Sequence, residues 1–159
     1  MEWMVVAEGL RFPEGPVQLP DGDIAVVEIE AGIISRIDAA GSRTVMAKPG
    51  GGPNGLAMGP DGKLYCCNNG GFTWIEHGGR LIPRVQPDDY SGGRIERIDL
   101  RTGEVELLYR SGDFGCRLNG PNDIVFDLEG GFWFSDYGKT RDRDRDRWAL
   151  LYARADGGE

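Results

Sequence analysis

The chain has 159 residues, of which 40% are hydrophobic and 28% charged, a composition that excludes a disordered or fibrous segment and supports one packed core. Its net charge of -8 removes the basic footprint that binding a phosphate backbone requires, so no nucleic-acid partner is expected. No run approaches the roughly 18 apolar residues that cross a bilayer, and the opening Met1-Glu2-Trp3-Met4 lacks the basic and apolar regions of a secretory signal; no membrane and a cytoplasmic location are the expectations.

The three cysteines are Cys66 and Cys67, adjacent, and Cys116, alone. This spacing predicts neither a disulfide framework nor a C-x-x-C site, and the thiols are expected to be reduced and structural. Glycine makes up 26 residues, about one in six, against a usual ~7%, so the chain is expected to be ordered and to turn often.

In chain order, a strand-like run over Met4 to Ala7 comes first and has no companion of its own. Three segments then superimpose without a gap: EGPVQLPDGDIAVVE from Glu14, NGLAMGPDGKLYCCN from Asn54 and NDIVFDLEGGFWFSD from Asn122. Each opens on a polar residue and carries an acidic-Gly pair between two apolar runs, at Asp21-Gly22, Asp61-Gly62 and Glu129-Gly130. That pattern predicts a hairpin closed by a primed turn, because glycine accepts the positive φ such turns need.

Further strand-like runs follow over 33–38 and 44–47 after the first unit, over 94–99 and 104–109 after the second, and over 148–153 after the third. The stretch 70–93 reads as a long loop, and sustained helical periodicity is missing throughout. Four antiparallel strands per unit make a β-propeller blade. The expected fold is therefore all-β: a single partial β-propeller domain over 1–159 of about two and three-quarter four-stranded blades, with blade 1 over 10–48, blade 2 over 52–111 and an incomplete, truncated blade 3 over 118–159.

Residues 14 positions apart across a hairpin lie together at the end opposite its turn. Glu14 and Glu28, Asn54 and Asn68, and Asn122 and Asp136 should all face one side. Since the first strand of a blade lines the central channel, Glu14, Asn54 and Asn122 are predicted to converge near the axis, where a carboxylate and amide oxygens suit Ca²⁺ or Mg²⁺. Asn-Gly and Asn-Asp also serve turn conformations at strand starts; recurrence at three equivalent positions favours the ligand reading.

Leu10-Arg11-Phe12-Pro13-Glu14-Gly15-Pro16, Pro53-Asn54-Gly55-Leu56 and Gly120-Pro121-Asn122-Asp123-Ile124, each followed by its acidic-Gly hairpin, closely resemble the gluconolactonase, senescence-marker-protein and luciferin-regenerating-enzyme family. The resemblance implies part of a six-bladed propeller with a divalent metal in its central tunnel, Ca²⁺ first, with Zn²⁺ or Mg²⁺ as alternatives, and hydrolysis of a small-molecule lactone or related ester. It implies Glu14 and Asn122 as metal ligands and Asn54, Asn122 and Asp123 as substrate-binding residues. It also implies that the remaining ligands, an asparagine and an aspartate, and the general base lie beyond Glu159. An arginine that holds the sugar lactone in some members is replaced by Gly120.

Other signals weigh less. Asp142 to Arg147 has the D-x-D-x-D spacing of a calcium loop, but Arg147 and Ala153 stand where an EF-hand needs Gly and Glu, so self-compensating surface charge is expected. His77 would have to reach the channel mouth to act as a base. Ser111 and Ser135 lack a G-x-S-x-G context, which disfavours a serine nucleophile. Trp74, Trp133 and Trp148 read as packing between blades, and Trp74 also as a candidate ligand contact. The leading expectation is a metal-dependent hydrolase of lactones; a noncatalytic propeller segment that binds a partner or small ligand, or a degenerate inactive fragment, are the alternatives. Open blade edges predict self-association.

Overall fold

The structure, a computed structural model, describes residues 3–158. The first sheet runs β1 (Pro13–Gln18), β2 (Ile24–Glu28), β3 (Ile33–Ile37) and β4 (Arg43–Ala47), antiparallel and in sequence order. After β5 (Pro53–Met58) and β6 (Leu64–Asn68) the chain makes a two-stranded ribbon, β7 (Trp74–His77) and β8 (Arg80–Pro83), before β9 (Arg94–Ile98) and β10 (Val105–Arg110) complete a second four-stranded sheet ordered β10-β9-β6-β5. A 3-10 turn at Asp113–Gly115 leads into β11 (Pro121–Phe126), β12 (Gly131–Asp136) and β13 (Ala149–Arg154), a three-stranded sheet. No helix among the described residues is long and apolar enough to cross a membrane.

Three expectations are corrected. Residues 4–7 form no strand: no edge pairs with them, and Met4 and Val5 stay exposed. The stretch 70–93 is not structureless, because alternating side chains and Gly78-Gly79 let it fold on itself as the β7–β8 ribbon. The hairpin turns hold three residues rather than two. In the first, Leu19 N–H donates to Asp23 O at 2.8 Å, Gly22 N–H donates to Leu19 O at 2.9 Å, and Gly22 sits at φ 96°. Pro20 and Pro60 precede the Asp-Gly pair in the first two sheets, and proline in the opening position of such a loop selects the three-residue form with a left-handed glycine at its end.

The repeat seen in sequence is a repeat of geometry. Pro13, Pro53 and Pro121 open their strands opposite Glu28, Asn68 and Asp136, and in every case a β-bulge follows within the next three residues. A bulge adds one residue to its strand and turns side chains away from the regular alternation. It falls at Asn54 and Asn122 in their strands and immediately after Glu14 in the first.

The closing residues are buried latches. Asn68 Oδ1 accepts from the N–H groups of Gly52 and Gly70 at 2.9 and 3.0 Å, and Asp136 Oδ1 accepts from Gly120 and Gly138 at 2.8 and 2.7 Å. Glu28 accepts from Arg11 N–H at 2.8 Å and from the Ser35 hydroxyl at 2.5 Å. Each side chain satisfies backbone donors of the turns flanking its hairpin, donors that would otherwise be buried without a partner.

The core lies between sheets. Val27, Ile34, Leu56, Leu64 and Ile98 join the first sheet to the second, and Tyr65, Ile95, Phe132 and Phe134 join the second to the third. The inner strands come closest at two glycines. A Cβ on Gly15 would stand 2.5 Å from Asn54 O, and one on Gly55 would stand 2.5 Å from Asn122 O. No side chain fits at either position, so adjacent inner strands meet backbone to backbone.

Candidate functional site

Glu14, Asn54 and Asn122, 108 positions apart from first to last, line one cavity of about 290 Å³. Asn54 Nδ2 donates to Asn122 Oδ1 at 3.0 Å, bridging the second and third inner strands. The Glu14 carboxylate has no hydrogen bond or ion pair to any described residue, whereas Glu28, Glu30, Glu96 and Glu106 are all engaged by arginines. An exposed carboxylate held beside two amides, with its charge uncompensated, is a receptor for a positive or electrophilic group.

The opposite wall is apolar. Phe12 and Ile29 from the first sheet, Phe72 and Pro83 from the base of the ribbon, and Tyr137 after β12 face the same space. Phe12 is at φ 60°, the single non-glycine residue with positive φ among those described. Such a conformation costs a phenylalanine roughly 1–2 kcal/mol, and strain of this kind collects where a side chain must be aimed. Its ring lies 5.0 Å from that of Trp74, which Phe72 meets edge-on at 5.9 Å. Trp74 thus supports the wall from behind. Tyr137 stacks on Trp148 at 5.3 Å, and its hydroxyl accepts from Arg145 at 2.6 Å.

Of the residues singled out in sequence, Glu14, Asn54 and Asn122 are brought together. Asp123 is not: it lines a separate groove with Val125, Trp133 and Leu150, and its Oδ1 accepts from Ile124 N–H at 3.0 Å. His77 ends β7 at the turn of the ribbon, opposite Arg80, away from the cavity lining. The charged run 142–147 folds against its own neighbours: Arg141 pairs with Asp144 at 2.5 Å and with Asp146 at 2.6 Å. Cys66 and Cys67 are buried and unoxidised, and burial raises both thiols, which leaves them inert.

Sequence reading missed the apolar wall. The signal for Phe12 was its place two residues before Glu14. Phe72, Pro83 and Tyr137 reach the cavity only through the ribbon and the loop after β12, whose course no local pattern fixes.

Among the described residues no group of three or more His, Cys, Asp or Glu could hold a metal. One carboxylate and two amide carbonyls do fit a hard cation in kind, being oxygen donors facing one cavity, though they supply fewer than the roughly six to eight that Ca²⁺ takes. Glu14 and Asn122 are the side chains that would hold it.

Repeated antiparallel sheets packed face to face, each presenting the start of its first strand to a common cavity, define the blades of a partial β-propeller. The SMP-30/Gluconolactonase/LRE-like region matches residues 12–159, and the chain belongs to that family. A gluconolactonase from Zymomonas mobilis is 26% identical over 152 residues, covering 86% of this chain and 36% of that protein. The structure of a gluconolactonase from Xanthomonas campestris superimposes with a TM-score of 0.68 at 21% identity, over 96% of this chain and 47% of its own. The PQQ-bound aldose sugar dehydrogenase of Streptomyces coelicolor gives a TM-score of 0.62 at 22% identity, over 97% and 48%. The chain therefore spans about half the length of these solved structures, which share its fold.

Proposed function

We propose that the chain supplies the Glu14–Asn54–Asn122 side of a divalent-metal-dependent lactonase, with Ca²⁺ as the preferred ion. The observation that carries this reading is the unpartnered Glu14 carboxylate set beside the hydrogen-bonded pair Asn54 and Asn122 in one cavity. A bound cation supplies electrophilic polarisation of the ester carbonyl and stabilisation of the oxyanion that forms. This chain's own residues bind and orient. Glu14 and Asn122 hold the ion by their oxygens, Asn54 fixes the Asn122 amide and presents its own carbonyl to a substrate, and the aromatic wall excludes bulk water from one side.

Membership of the family, the donor chemistry and the convergence of three repeat-equivalent positions support the reading. An open sheet flank also supports self-association of the chain. A noncatalytic segment that only binds is the competing outcome.

Two measurements test the proposal. Calcium at about one hundred times its dissociation constant should stabilise the protein by about 2.7 kcal/mol, a rise in melting temperature of several degrees. Glu14→Gln should abolish that rise while leaving the metal-free melting temperature within about a degree, since the side chain is exposed and unpaired. Proton release from a δ-lactone should be calcium-dependent and lost in the same variant. No calcium-dependent rise in the wild-type protein, or a rise that survives Glu14→Gln, refutes the site.

A further inference from the structure

The cavity's two walls differ in what they can bind. On the polar wall, Asn122 Oδ1 already accepts from Asn54, and Glu14 with Asn122 is committed to the ion in the reading above, on which this inference rests. Among the described residues, Asn54 is then the one polar lining side chain with an uncommitted oxygen, and no lysine or arginine lines the cavity. The Tyr137 hydroxyl is occupied as an acceptor by Arg145. Gly120 packs so tightly against the backbone of Gly138 that no side chain can stand there to add another donor. A polyhydroxylated ring would find only the free N–H groups of Asn54 and Asn122, the Tyr137 O–H and the Asn54 oxygen among the described lining, fewer partners than its hydroxyls need, and each hydroxyl desolvated without one weakens binding.

The other wall is built at some cost. Phe12 holds a positive φ that glycine would adopt freely, and Trp74, brought by the ribbon inserted between β6 and β9, buttresses both Phe12 and Phe72. Strain kept in place by packing, on a residue whose ring lines the cavity, indicates that the ring has a use there. A contact surface of this sort matches alkyl or aryl carbon, not hydroxyl groups.

We propose that the cavity selects lactones bearing an apolar substituent on the ring over polyhydroxylated sugar lactones, with Phe12 and Tyr137 as specificity-determining residues. The ester carbonyl faces Glu14, Asn54 and Asn122, and the substituent lies along Phe12, Phe72 and Pro83.

Non-hydrolysable lactams separate this inference from the catalytic one. Isothermal titration of the calcium-loaded chain with a butyl-substituted δ-lactam and with gluconolactam should give at least about tenfold tighter binding of the butyl compound. Phe12→Gly, which relieves the φ 60° backbone and so offsets part of the packing it removes, and Tyr137→Ser, at a half-exposed position, should each narrow that ratio severalfold in protein shown by its thermal melt to be folded. Equal or tighter binding of gluconolactam, no binding of either lactam, or a ratio unmoved by Phe12→Gly overturns the proposal. Parallel proton-release assays with δ-nonalactone and glucono-δ-lactone test the enzyme reading by whether there is turnover and the selectivity by which lactone is preferred. Selective lactam binding without turnover of either lactone sinks the hydrolase and keeps the selectivity, whereas turnover that favours glucono-δ-lactone does the reverse.

Discussion

Lys139 places an ammonium where almost no water reaches it, 1% exposed and with no carboxylate among the described residues in ion-pair contact. Its Nζ donates to Gly71 O at 2.5 Å and Asn69 Oδ1 at 3.2 Å and stands 4.0 Å from the centre of the Phe72 ring, tying the third sheet to the loop that carries part of the apolar wall. Burial lowers this lysine from its ordinary 10.5 to about 7, against the opposing pull of Asp136 and Asp146. Below about pH 7 both folded and unfolded chains hold the proton and the burial penalty is fully present. Between there and 10.5 the unfolded chain binds more protons, so stability rises with pH, by up to about 1 kcal/mol per pH unit. Urea unfolding from pH 7 to 9 should show that rise in the wild-type chain relative to Lys139→Met. The difference is the quantity to read, because Cys66 and Cys67, with thiols raised by burial, slope the other way at the alkaline end. Parallel curves for the two proteins would show that Lys139 stays charged throughout.

The latch at Asp136 gives a second test at this scale. Asp136→Ala leaves the N–H groups of Asn119, Gly120 and Gly138 without their acceptor and should cost about 3 kcal/mol or more in chemical denaturation. Asp136→Asn should cost less, about 1–2 kcal/mol, because one amide oxygen can keep the Gly120 and Gly138 bonds as Asn68 does in the second sheet, while Asn119 N–H loses its acceptor. Sequence comparison of the three repeats placed these residues and their partners on one side, with only Glu14, Asn54 and Asn122 directed to the axis. Only the structure separates the buried latch, Glu28, Asn68 or Asp136, from the exposed ligand candidate one step beyond its strand partner.

At the level of elements, the repeats were legible because each one needs the same punctuation: a proline to start the inner strand, a polar residue at the bulge, a glycine ending the hairpin loop. The strand positions follow from that, and β3, β4, β9, β10 and β13 lie within a residue or so of their expected bounds. The ribbon was not legible, since four-residue strands flanked by Gly78-Gly79 look like loop until they are seen to pair. Residues 4–7 failed in the opposite way: their apolar, β-branched run suits a strand, yet β structure needs an edge to join. Gly55 separates local from non-local demands. Its backbone conformation is open to any residue, but a Cβ would strike Asn122 O and the Asp123 backbone. Gly55→Ala should therefore lower stability by more than Gly62→Ala, where φ is 75° but nothing lies within 4 Å, the latter costing about 1 kcal/mol from conformation alone. Equal losses on thermal denaturation would mean that the inner strands yield without strain.

For the molecule as a whole, the third sheet presents Val125, Trp133 and Leu150 to solvent at 61%, 45% and 70% exposure, a contiguous apolar surface beside the groove that holds Asp123. An uncovered surface of that kind associates. Sedimentation velocity should reveal concentration-dependent association that Leu150→Lys combined with Trp133→Lys suppresses; a monomer at all concentrations would show the surface to be tolerated in water. The fold class could be read from spacing alone, and so could the shared cavity of Glu14, Asn54 and Asn122, because symmetry carries local information across the molecule. The aromatic side of the cavity could not, since it belongs to insertions that break the symmetry.

Gly15 and Gly55 have one more implication. With peptide touching peptide at the axis, the angular step from one blade to the next is set by the thickness of the main chain and not by the size of any side chain. A methyl group at both positions would open every such step in the same direction, so the curvature of the array, and with it the circumference of any ring it enters, is written in two residues that carry no functional group.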